Sequence, residues 1–192
     1  MITYIVGTDT GVGKTYYGRK LVTEGKRVIK PIETGKDDFE DIMQSDCYTY
    51  CSMQGIDISD INLYFFNVPA SPHYAAELDG EKVDIEKLKL FVSANTNTCV
   101  ELAGGLFVPL DGKYTQLDLI KDTPNCNVDI VVANKLGCLN HAILTVETLR
   151  SNNIAISKLV INNMGKKLTD LAENNIKTIK YFYEDSINIR VI

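Results

Sequence analysis

Residues 7–15 read GTDTGVGKT and follow directly on the apolar run 2–6, ITYIV. A short buried strand, a glycine-rich turn and a helix opening at Lys14 is the setting in which backbone N–H groups converge on phosphate oxygens, with the helix dipole behind them. Such a unit calls for an open α/β sheet, whose ligands bind along the carboxyl edge of the strands. In that reading Lys14 meets β- and γ-phosphate oxygens and the Thr15 hydroxyl meets Mg²⁺. The spacing departs from the common pattern G-x-x-x-x-G-K-[ST], because Thr8 stands where the first glycine is wanted and Gly7 precedes it. A plain strand-to-helix turn is the alternative that the loop by itself leaves open.

The rest of the chain supports the same class. Short apolar stretches at 2–6, 27–30, 97–101, 128–133, 158–162 and 178–182 read as strands. The stretches 14–24, 37–53, 83–92 and 139–150 read as helices; in the last, Leu139, Ile143, Val146 and Leu149 recur at helical spacing. The alternation predicts an α/β fold with a mostly parallel central sheet and helices on both faces. Several polar residues then fall at the carboxyl ends of strands: Lys30 after the second, Glu101 after the third and Asn162 after "KLVIN". A lysine or glutamate at a strand end is often just a solvated terminus, but several on one edge around a phosphate loop suggest a site.

Asp46 adds to that edge. In a continuous helix 37–53 it falls within the apolar stripe formed by Phe39, Ile42, Met43, Cys47 and Tyr50. Carboxylates are seldom buried unless paired or bound to a metal. Either a structural ion pair or a Mg²⁺ site shared with Glu101 and Thr15 satisfies that rule. The stretch 137–141, GCLNH, opens a helix after a strand and is either a second anion site or an ordinary helix start.

Composition narrows the partners. With a net charge of −5 and scattered basic residues, the chain does not read as a binder of nucleic acid or anionic membrane. At 192 residues and 45% hydrophobic content it reads as one domain with a full core. The start, MITYIVGT, has neither a basic leader nor a long apolar run. Five cysteines, an odd number without framework or zinc spacing, read as free thiols in a cytoplasmic protein. His73 and His141 lie far apart and form no Ser-His-Asp or Cys-His constellation by spacing.

The blocks GTDTGVGKT (7–15), KPIETG (30–35), SD (45–46), PASPHYAAELDG (69–80), VELAGG (100–105) and NKLGCLNHAILT (134–145) resemble, in order, those of the dethiobiotin synthetases. The loop of that family is one residue longer than the common form, which accounts for the spacing at Thr8. The resemblance implies a P-loop NTPase-like domain over 1–192 and a cytoplasmic homodimer. It also implies an ATP- and Mg²⁺-dependent ligase that joins CO₂ (as bicarbonate in solution) to 7,8-diaminononanoate and closes the ureido ring of dethiobiotin. By resemblance, Lys30 and Lys14 are the catalytic cations. Thr10, Gly11, Val12, Gly13, Lys14, Thr15, Tyr16, Asp46, Glu101, Leu102, Ala103, Gly104, Asn162 and Asn163 bind the nucleoside triphosphate, with Asn162 by the base. Thr15, Asp46 and Glu101 hold Mg²⁺. Thr34 and Ser71 contact the diamine, and Gly137, Cys138, Leu139 and Asn140 receive its carboxylate from the neighbouring subunit.

Two departures stand out. Leu102 occupies a position that is often glycine in the family's EGAGG block. The stretch KTIKYFYEDS lacks the proline-containing loop that helps to hold the base, which leaves the nucleotide preference open. The rival readings are a switch ATPase of the partition or nitrogenase type, an amidotransferase-linked ATPase and a non-catalytic nucleotide-binding homologue. Asp9 stands where the first of these carries a signature lysine.

Overall fold

The computed structural model describes residues 1–192. Ten strands and seven α-helices follow one another as β1 (Ile2–Gly7), α1 (Lys14–Thr23), β2 (Arg27–Ile29), β3 (Ile32–Thr34), α2 (Asp46–Gln54), β4 (Tyr64–Phe66), α3 (Pro72–Leu78), α4 (Ile85–Ala94), β5 (Thr98–Glu101), β6 (Pro109–Asp111), β7 (Tyr114–Thr115), α5 (Gln116–Lys121), β8 (Cys126–Ala133), α6 (Cys138–Ser151), β9 (Ile156–Asn162), α7 (Asp170–Tyr183) and β10 (Asn188–Val191).

Six strands form the central sheet in the order β10-β9-β8-β1-β5-β2, and every pairing in it is parallel. Strand β1 lies inside the sheet, paired with both β5 and β8, so Tyr4, Ile5 and Val6 are wholly buried and read as one apolar run. From β1 the chain moves one way through α1 to β2. From β8 it moves the other way through α6 and α7 to β10. Right-handed crossovers therefore put α1 and α6 on opposite faces. The order reverses at β1, so the turn after it opens at a topological switch point. Short ribbons β3–β4 (parallel) and β6–β7 (antiparallel) lie outside the main sheet.

Two expectations fail. The run 178–182 is not a strand but the end of α7, whose buried Asn175, Ile179 and Tyr183 recur every four residues, with Thr169 capping the helix by accepting from Ala172 N. Five residues such as Thr-Ile-Lys-Tyr-Phe are too few for their spacing to distinguish a strand from one turn of a helix. The last strand is 188–191 instead. The continuous helix 37–53 also does not form. Turns of 3₁₀ helix occupy Lys36–Asp38 and Ile42–Gln44, and α2 starts only at Asp46. Asp41 accepts from Met43 N and Ser45 from Tyr48 N, so local side-chain bonds replace the helical ladder before residue 46. Asp46 is consequently the first residue of α2, with a side chain 35% exposed, and not a member of a buried stripe.

Candidate active site

The turn after β1 wraps tightly around its own lysine. A Cβ added to Gly7 would lie 2.5 Å from the Asp9 carbonyl oxygen and 2.8 Å from Lys14 Nζ, which is why glycine stands at 7. Thr8 instead continues the sheet, its N–H donating to Val131 O at 3.0 Å. Lys14 Nζ donates to Asp9 O at 3.1 Å, across the hollow of the loop. Burial pushes its pKa below the ordinary lysine range, the Glu101 carboxylate opposing that shift and the Lys30 charge adding to it. Gly13 adopts φ 92°, and a side chain there would meet Asn162 Nδ2 at 2.0 Å. Asn162 in turn donates to Val12 O at 3.0 Å, which anchors the loop to the end of β9.

A cavity of about 700 Å³ lies beside this loop. Among the expected residues, Thr10, Gly11, Gly13, Lys14, Thr15, Lys30, Thr34, Asp46, Ser71, Glu101, Ala103 and Gly104 line it. Lys30 follows β2, Glu101 ends β5 and Thr15 lies in the first turn of α1. The parallel register brings all three to one edge. Lys30 Nζ is paired with Asp46 Oδ2 and lies 3.2 Å from Glu101 Oε1, while the Thr15 hydroxyl donates to the same Glu101 oxygen at 2.8 Å. Burial opposes the Lys30 charge, but Glu101, Asp46 and Glu33 outweigh it and hold the ammonium well above its ordinary pKa.

Other expected residues fall outside the cavity lining. Val12 is buried and Tyr16 exposed on α1. Leu102 turns into the core at 5% exposure, and its N–H donates to Ile5 O at 3.1 Å, so its side chain does not block the cavity. Asn163 accepts from Asn134 Nδ2 at 2.7 Å. Gly137, Cys138, Leu139 and Asn140, at the start of α6, do not reach the cavity within this chain.

Three residues at the site had no role assigned from sequence. Glu33, buried in β3, accepts from Asp46 N and Cys47 N at 2.8 Å each and so fixes the start of α2. Gln116, buried at the start of α5, donates to the carbonyls of Ala103 and Gly105 and holds the 103–105 turn. Tyr50 donates to Glu101 Oε2. Glu33 lies within the KPIETG block, and its place there was its only signal. Tyr50 had none beyond apolar periodicity.

The donor set suits Mg²⁺. No three acidic, histidine or cysteine groups converge, so a cage made of protein alone is absent. Two carboxylates that share one ammonium, with a hydroxyl bonded to one of them, suit an ion that keeps waters and takes phosphate oxygens as its other ligands. All five cysteines are unpaired, and no helix is long and apolar enough to cross a membrane.

Known proteins resemble this chain in sequence and in fold. Residues 3–189 match the family described as an AAA domain. The ATP-dependent dethiobiotin synthetase BioD of Lysinibacillus sphaericus is 38% identical over 196 residues, covering 94% of this chain and 82% of that protein. Its namesake in Legionella pneumophila strain Paris is 35% identical, covering 89% and 84%. Among solved structures, McdA of Cyanothece superposes with a TM-score of 0.56 at 12% identity, covering 99% of this chain and 81% of that one. The MinD cell division protein of Aquifex aeolicus gives 0.51 at 16%, covering 100% and 81%. These two likenesses establish the P-loop fold and nothing finer.

Proposed function

The chain belongs to the ATP-dependent dethiobiotin synthetase family, and from that premise we propose a reaction sequence for its site. The enzyme is a ligase of biotin biosynthesis that uses ATP. One amine of 7,8-diaminononanoate captures CO₂ as a carbamate. A carbamate oxygen attacks the γ-phosphorus of ATP and ADP leaves, giving a carbamic–phosphoric anhydride. The second amine attacks the carbonyl carbon, expels phosphate and closes the ureido ring.

The central physical difficulty is that one anion must attack another. Phosphoryl transfer asks mainly for positioning and charge stabilisation, and both depend on cations fixed in place beforehand. Lys30 is that cation at the carbamate and the transferring phosphoryl group, and Lys14 is its counterpart at the β- and γ-phosphates. The Thr10–Thr15 backbone cradles the phosphates, and Tyr16 continues the same helix. Thr15, Asp46 and Glu101 would hold Mg²⁺, which would supply further positive charge to the triphosphate. Ala103 and Gly104 form the wall facing Thr10, with Leu102 anchoring that turn from the core. Asn162 and Asn163 lie on the base side, and Thr34 and Ser71 contact the diamine. The Gly137–Asn140 helix start serves the substrate carboxylate across a homodimer in the cytoplasm.

The observation that carries this reading is Lys30 held between Asp46 and Glu101 beside Thr15, in the cavity next to the phosphate loop. Purified protein is expected to form dethiobiotin from diaminononanoate, bicarbonate and MgATP, detected by mass spectrometry, with phosphate release dependent on the diamine. A folded, nucleotide-binding protein that yields no product overturns it. Phosphate release indifferent to the diamine favours a switch ATPase.

A further inference from the structure

We propose that Tyr50 is a positioning residue for the metal-binding carboxylate Glu101. This rests on the reading of Thr15, Asp46 and Glu101 as Mg²⁺ ligands and adds a residue that acts through one of them. Tyr50 is wholly buried and donates its hydroxyl hydrogen to Glu101 Oε2. The other carboxylate oxygen, Oε1, faces the site, where it receives the Thr15 hydroxyl at 2.8 Å and lies 3.2 Å from Lys30 Nζ. The two oxygens are therefore divided: Tyr50 pins one from behind and leaves the other to the site.

The elements that bring Tyr50 there make the arrangement specific. Asp46 and Tyr50 are four residues apart in α2 and share one helix face. A single rigid turn thus presents one proposed ligand and orients the other. Helix α1 accommodates the hydroxyl only because residue 18 is glycine; a Cβ there would lie 2.0 Å from the Tyr50 oxygen and 2.9 Å from the carbon that bears it. Glycine inside a helix is destabilising relative to alanine. Close approach of the tyrosine explains its presence in α1. Without the hydroxyl, Glu101 Oε2 stays buried without a donor, and the carboxylate is free to turn away from Thr15.

The test is Tyr50→Phe in the full-length protein, read by Mn²⁺ affinity in the presence of ADP and by the Mg²⁺ concentration that gives half-maximal turnover. Residues that orient metal ligands typically change affinity by about 10–100-fold, and a loss of that order is expected here. Nucleotide affinity in EDTA should be unchanged, which a general loss of structure would not spare. Gly18→Ala keeps the tyrosine but displaces its hydroxyl, and the same loss of metal affinity is expected; it serves in place of Tyr50→Phe should that variant fold poorly. Wild-type metal affinity in either folded variant overturns the positioning role. A wild-type enzyme indifferent to EDTA overturns the metal reading itself and this role with it.

Discussion

Replacing Lys30 with methionine preserves the aliphatic stem and removes the charge between Asp46 and Glu101. Breaking a buried ion pair by deleting one partner costs about 3–5 kcal/mol, since the survivor is left without compensation. Glu101 is 1% exposed, but the Asp46 side chain is 35% exposed and can recover water, which places the cost near the lower end, about 3 kcal/mol. For a chain of this length that corresponds to a fall in melting temperature of about 6–12 °C. A divalent cation should offset it, because an ion that binds only the folded state at a hundredfold excess over its Kd contributes about 2.7 kcal/mol. Lys30→Met should therefore gain more thermal stability from millimolar Mg²⁺ than wild type does. Turnover, followed by diamine-dependent phosphate release, should fall by about 10²–10³-fold or more, the scale for losing one preorganised electrostatic contact in a transition state. ATP affinity should stay close to wild type, because the loop cradle is intact. Wild-type turnover would refute the role of Lys30. A melting loss that Mg²⁺ does not restore would refute the argument from the two carboxylates.

Gly13→Ala forces a side chain into a φ of 92° and against Asn162 Nδ2, so calorimetry should find nucleotide binding at least about tenfold weaker, the equivalent of 1.4 kcal/mol. Glu33→Ala leaves the N–H groups of Asp46 and Cys47 without their acceptor; a stability loss of about 1–3 kcal/mol in denaturant titration and a weaker Mg²⁺ response are expected. The pH dependence follows from the raised Lys30 pKa. The folded state keeps the proton after the unfolded chain loses it, so its contribution is full below about pH 10.4 and declines above. The stability gap between wild type and Lys30→Met should thus be level from neutral pH to about 10 and narrow beyond it, as melts across that range will check. Light scattering at working concentration should give twice the 21.4 kDa chain mass, the proposed dimer; a mass of one chain would count against a site shared between subunits.

Much of the site is legible in the sequence. An apolar run, a glycine-rich turn and a Gly-Lys-Thr are local features, and local spacing is enough to specify strand, loop and helix. Lys30, Glu101 and Asn162 were identifiable as edge residues because parallel strands share a carboxyl edge, whatever their order. The failures have equally local causes. Residues 178–182 are apolar at a density that suits either period, and only packing of α7 through Asn175, Ile179 and Tyr183 decided for the helix. Asp46 was expected at the site for a reason that did not hold. The supposed stripe ended at the turns capped by Asp41 and Ser45, and a helix start, not a buried face, carried the carboxylate to the cavity.

What the sequence by itself determined is therefore the class of sheet, the phosphate loop and the family, because each rests on contiguous residues. The tertiary structure alone decided which groups meet. Thr15 and Glu101 are 86 residues apart, Tyr50 and Glu101 are 51 apart, and Lys30 and Asp46 are 16 apart. No periodicity encodes such meetings. They arise because the sheet sets β1 between β5 and β8 and α2 packs against α1, leaving a glycine-sized gap through which one tyrosine reaches the carboxylate at the end of β5.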